Sequence, residues 1–172
     1  VGAYLEKGKV LEKLGRYQEA IENYQITLTL DDPTSFAYLR LGKCFEKLGL
    51  EDDAITYFKQ CVKEDPLLDK GWLSIVNFYT NKLDYQKALS DIIKATETEA
   101  DNALYWTKYA TINARLNFLE ECDYGYRRAL ELGNYELSTW IDRCDVLLKI
   151  GDLDTAISNV ESGLEFYPQD VE

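Results

Sequence analysis

The 172 residues carry 19 basic against 31 acidic side chains and no histidine, for a formal charge of −12 at neutral pH. So acidic a chain repels phosphate, which weighs against nucleic acid as a partner. Without histidine the commonest general base and metal ligand are missing, along with every Ser-His or Cys-His pair. No run approaches the ~20 apolar residues of a membrane helix, and the opening lacks a signal-peptide pattern. The expectation is a chain that is not an enzyme and needs no cofactor or metal.

In chain order, the sequence returns on itself every 34 residues. The first unit opens with Tyr4, and the aromatic recurs as Tyr38, Trp72, Trp106 and Trp140. Three further series keep step: Ala20, Ala54, Ala88, Cys122, Ala156; then Tyr24, Phe58, Ile92, Tyr126, Val160; then Thr27, Cys61, Ala95, Ala129, Gly163. Large residues at fixed distance from small ones describe knobs and the holes that receive them.

Inside each unit the spacing is helical. Tyr4, Gly8 and Leu11 share one stripe of a first helix, and Ala20, Ile21, Tyr24, Thr27 and Leu28 share a face of a second. The chain reverses at Gly15, Gly49, Asn117 and Gly151, residue types that accept the left-handed backbone ending a helix. Leu83 holds that slot in the third unit and does not suit it. Units are separated by Asp-Asp-Pro at 31–33, Glu-Asp-Pro at 64–66 and Tyr-Pro at 167–168, where proline stops a helix. The acidic clusters Glu51 to Asp53 and Glu120-Glu121 read as charges placed against the positive end of a second helix.

Cys61, Cys122 and Cys144 fall where other units carry small residues, and Cys44 lies near a packing face. They read as buried packing residues. With no Cys-x-x-Cys pair and no zinc spacing, free thiols favour a reducing compartment, hence a cytoplasmic location. A last helix from about Asp152 to Phe166 leaves Ile157, Val160 and Leu164 uncovered. That suggests either a segment cut from a longer array or self-association through this end.

The pattern resembles the tetratricopeptide repeat, best in the second unit with Tyr38, Leu41-Gly42, Phe45, Gly49, Ala54, Phe58, Cys61 and Pro66. Val76, Ala110 and Cys144 depart from it at the first-helix glycine, Asn113 at an aromatic, Ala100 and Asn134 at the proline, and Pro33 sits one residue late. The resemblance implies an all-α, right-handed α-solenoid of five antiparallel helix-turn-helix units. They form one array over 1–172, at about 1–34, 35–68, 69–102, 103–136 and 137–172. It further implies a concave groove lined by first helices that binds a peptide or partner protein.

At about 100° per residue, the groove face carries Glu6, Lys9, Glu12 and Lys13, then Phe36, Leu39, Arg40, Lys43, Glu46 and Lys47. Further along it carries Lys70, Leu73 and Asn77, then Leu104, Lys108 and Arg115, then Asp142, Asp145 and Lys149. Nine basic and five acidic residues give this face +4, leaving −16 for the rest. The candidate binding residues are Lys9, Lys13, Phe36, Arg40, Lys43, Lys47, Lys70, Asn77, Lys108 and Arg115. The expected partner is an acidic or carboxylate-terminated protein segment, with Phe36, Leu39, Leu73 and Leu104 as apolar contacts.

The carboxylate clamp that some family members place on chaperone tails is matched only at Lys70-Gly71, since Leu5, Lys9, Arg40 and Ser74 replace its other residues. Two alternatives of other classes are an assembly module stacking through the last helix and the recruiting arm of an enzyme lying outside this segment.

Overall fold

A computed structural model describes residues 2–30 and 34–168. The Asp-Asp-Pro separator at 31–33 lies outside the described residues. Ten α-helices are found among them: α1 (Gly2–Lys13), α2 (Tyr17–Leu30), α3 (Ser35–Lys47), α4 (Glu51–Glu64), α5 (Asp69–Asn81), α6 (Tyr85–Thr98), α7 (Ala103–Leu116), α8 (Leu119–Glu131), α9 (Leu137–Ile150) and α10 (Leu153–Phe166). The chain divides into two compact units, Val1–Phe78 and Tyr79–Glu172.

Every expected reversal occurs, with the same backbone. Gly15, Gly49, Asn117 and Gly151 take positive φ, and so does Leu83 at 59°. The N–H following each left-handed residue reaches back five positions: Arg16 to Leu11, Leu50 to Phe45, Asp84 to Tyr79, Phe118 to Asn113 and Asp152 to Leu147. These bonds satisfy carbonyls that a helix end would otherwise orphan. In the third reversal the geometry of the turn prevails over the residue's preference, and an exposed leucine carries the strain.

Second helices start in two ways. Asp84 and Asp152 accept hydrogen bonds from the Lys87 and Thr155 N–H groups at 3.2 and 3.1 Å. Leu50 and Phe118 offer no such cap, and their helices carry Glu51, Asp52 and Asp53, or Glu120 and Glu121, in the first turn. Charge against the helix dipole substitutes there for a capping oxygen.

In the first unit, Gly8 faces the Tyr24 ring so closely that a Cβ would lie 2.5 Å from a ring carbon, and Gly42 faces Phe58 in the same way. Ala20, Ile21 and Tyr24 of α2 then receive Leu41 and Cys44 of α3. In the second unit the glycine has crossed the hairpin: Ala110 stands on α7, and Gly125 on α8 gives it room, a Cβ there lying 3.0 Å from the Ala110 nitrogen.

From the second repeat onward the aromatic series is part-buried or buried. The Trp72 indole donates to the Pro66 carbonyl at 2.9 Å and that of Trp106 to the Ala100 carbonyl at 2.7 Å. The acceptor in both is the carbonyl six residues back, so alanine replaces proline there without losing the bond. Trp140 is buried beside Phe166, with ring centroids 5.9 Å apart. Tyr4 departs from the expected packing role and is 40 % exposed. Tyr38 stacks near Tyr57 and Trp106 meets Tyr124 edge-on, whereas the corresponding positions of the first hairpin are Asn23 and Glu22.

Cys44, Cys61 and Cys122 are buried and all four thiols are free. Burial pushes the Cys44 and Cys122 thiols up to about 12 and Cys61 up to about 11. They pack as small apolar groups.

Candidate functional site: a cationic groove between α1 and α3

Antiparallel hairpins set first helices side by side, and in the first unit α1 and α3 enclose a groove of about 530 Å³. Lys9, Lys13, Phe36, Arg40, Lys43 and Lys47 all line it, with Glu6, Glu12, Glu46, Val10 and Tyr17. Six of the ten candidate residues thus come together. Lys70 and Asn77, exposed on α5, are not among the lining residues, and Lys108 and Arg115 belong to α7 in the second unit.

The cations are not equivalent. Lys9 pairs with Glu6 at 2.6 Å, a helix-surface pair of small energetic weight. Arg40 pairs with Glu12 at 3.2 Å, and Glu12 in turn accepts from the Tyr24 hydroxyl at 2.9 Å. Burial first, and the Glu12 carboxylate second, raise the Tyr24 pKa well above the usual phenol range. The tyrosine that fills the hole at Gly8 therefore anchors the carboxylate that fixes Arg40. Lys13, Lys43 and Lys47 make no ion pair among the described residues.

One expectation about apolar contact needs correction. Leu39 is 1 % exposed and cannot reach a ligand. Helix α3 packs on both α2 and α4, so its buried arc is wider than one stripe. Phe36 does line the groove, but Lys9 Nζ and the Arg40 guanidinium each lie 4.9 Å from its ring centre, a cation–π arrangement. Its face is already in use. Sequence reasoning missed the role of Glu12, whose 28-residue separation from Arg40 is the offset of facing positions on neighbouring first helices.

The fold and groove define a class, the all-α proteins built from repeated helical hairpins. The family profile described as tetratricopeptide repeat matches residues 5–68, which places the first two helical hairpins in the tetratricopeptide-repeat family. Proteins of this family generally serve as interaction scaffolds.

Solved structures share the fold at low identity. MamA from Desulfovibrio magneticus RS-1 is similar at 15 % identity and a TM-score of 0.75, over 99 % of this chain and 97 % of that one. TTC0263 of Thermus thermophilus, a thermophilic TPR protein, is similar at 23 % and 0.60, over 99 % and 93 %. YrrB, described as a TPR protein with an unusual peptide-binding site, is similar at 13 % and 0.71, over 97 % and 86 %. No curated protein sequence matches the chain. No helix among the described residues is long and apolar enough to cross a membrane.

Proposed function

We propose that residues 1–172 form a single repeat array that acts as a non-enzymatic scaffold, holding an acidic stretch of a partner protein in the α1–α3 groove. The observation that carries this reading is the convergence of five cations there, three of them without an ion-pair partner among the described residues. Against an otherwise acidic chain, such a patch steers carboxylates to itself. Lys13, Lys43 and Lys47 are the capturing charges, and Arg40, held by Glu12, shapes the floor. Lys70 and Asn77 on α5, and separately Lys108 and Arg115 on α7, are further candidate contacts for the partner. The peptide-binding site described for YrrB supports a peptide as ligand class. Free buried thiols suit a reducing compartment such as the cytoplasm.

A fluorescent Glu-rich peptide titrated onto the protein and onto the Lys43→Glu, Lys47→Glu double variant tests the reading. The variant weakens binding by about tenfold or more, near 1.4 kcal/mol, and flattens the dependence on salt. Equal affinity in both proteins rejects the groove. A second reading, self-association through α10, is favoured by exposed Ile157, Val160 and Leu164.

A further inference from the structure

We infer that the second unit carries a binding site of its own, a cavity between α8, α9 and α10 that takes an aromatic side chain of a partner protein. The cavity measures about 210 Å³, and its walls include Arg127, Leu130, Trp140, Arg143, Ser158 and Ser162. It lies on the flank of α10 toward α8, and Ile157, Val160 and Leu164 are not among its walls. The preceding hairpin shows what fills this place. One repeat earlier the slots of Trp140, Ser158 and Ser162 hold Trp106, Tyr124 and Arg128. There the Tyr124 ring meets Trp106 edge-on with centroids 5.5 Å apart, and the Arg128 guanidinium lies 5.8 Å from the Trp106 ring centre. In the fifth hairpin two serines take the places of that ring and that guanidinium, and the space beside Trp140 stays open. Phe166 stacks on Trp140 but does not line the cavity.

The walls favour a ring over an anion. Arg127 makes no ion pair among the described residues and lies 5.6 Å from the Tyr124 ring centre, the contact that a second ring entering the cavity would find in turn. Arg143 is already held, with Asp123 and Asn159 accepting from its Nε and Nη1. Glu131 is a further wall and would repel a carboxylate or phosphate. The Ser158 and Ser162 hydroxyls donate to the Asp154 and Ser158 carbonyls at 3.1 and 2.9 Å, which leaves them no proton for an oxyanion. Leu130 and the Trp140 indole supply apolar surface, and tryptophan and arginine are residue types that anchor interfaces. An aromatic knob from another protein thus completes the packing that Tyr124 completes from within its own hairpin.

Titration of N-acetyltyrosinamide onto the full chain, followed through the tryptophan indole N–H signals in proton–nitrogen NMR, tests this. Trp140→Phe identifies the Trp140 signal. That signal is expected to shift and saturate while those of Trp72 and Trp106 stay in place, and N-acetylglycinamide, which lacks the ring, moves none. Ser158→Tyr and Ser162→Arg, both at exposed positions, rebuild the filling of the preceding hairpin. Each weakens the binding by about tenfold or more, with helicity by circular dichroism confirming the fold, whereas Ser158→Ala leaves it unchanged. A Trp140 signal indifferent to the tyrosine probe overturns the inference, as does undiminished binding in both filling variants. Acetate or phosphate moving the signal where the tyrosine probe does not makes the occupant an anion and overturns the ring. Movement on concentrating the protein alone makes it a second copy and overturns a foreign partner. The Glu-rich peptide titration reads the α1–α3 groove, so either site can fail without the other.

Discussion

The α2–α3 and α8–α9 interfaces occupy equivalent places in the repeat and are built from opposite chemistry. In the first, Ile21 and Leu41 belong to one apolar cluster. In the second, the same two slots hold Asp123 and Arg143, joined at 2.8 Å with side chains only 21 % and 13 % exposed. Arg143 also donates to Asn159 at 3.3 Å, and Asn159 donates to the Trp140 carbonyl at 2.9 Å. The tyrosines beside these pairs differ in step: Tyr24 donates to Glu12 of its own hairpin, and Tyr126 to Asp142 of the following one at 3.3 Å. A repeat slot therefore tolerates a change of polarity when its partner across the interface changes with it. The glycine that moves from the Gly8 and Gly42 slot to Gly125 obeys the same rule in volume instead of charge.

Removing one member of the polar pair should give the largest effect. Arg143→Leu strands Asp123 and costs about 2–3 kcal/mol, somewhat less than a fully buried pair, as read by urea unfolding. Adding Asp123→Ile transplants the apolar chemistry of the first interface and recovers most of that loss. If the double variant stays as unstable as the single one, the two interfaces are not interchangeable. Gly42→Ala comes next, since the new methyl meets the Phe58 ring; overpacking costs about 1–3 kcal/mol in thermal melts.

Leu83→Gly goes the other way and raises stability by about 1 kcal/mol, making the third reversal like the second. Smallest is the effect of pH. Hydrogen bonds from Lys87 and Thr155 hold the Asp84 and Asp152 carboxyls below their ordinary range, so their contribution is present at neutral pH and fades as pH falls through the lowered values. Asp152→Ala consequently shows a shallower loss of melting temperature on acidification than the parent, whereas the α4 start, with no capping aspartate, supplies the contrast.

The helices, their reversals and most of the groove were legible because period and local backbone chemistry write them into neighbouring residues. Gly49 and Asn117 announce their turns; Leu83 could be recognised only by its place in the series. What stayed hidden were relations across an interface. Asp123 reads as one more acidic residue until Arg143 is set against it, and Leu39 reads as groove-facing until two helices close around α3. Lys13, Lys43 and Lys47 were visible as charges, but their difference from Arg40 depends on Glu12 and on the hydroxyl of a core tyrosine.

The three indoles end up in distinct surroundings. Trp72, in the first unit, and Trp106, in the second, each give their N–H to a loop carbonyl, while the buried N–H of Trp140 has no acceptor among the described residues. An excited indole without a hydrogen-bonding neighbour emits at shorter wavelength, so Trp140 contributes the blue edge of the intrinsic fluorescence. Loss of that edge on denaturation times the opening of the fifth hairpin separately from the rest of the molecule, with no label attached.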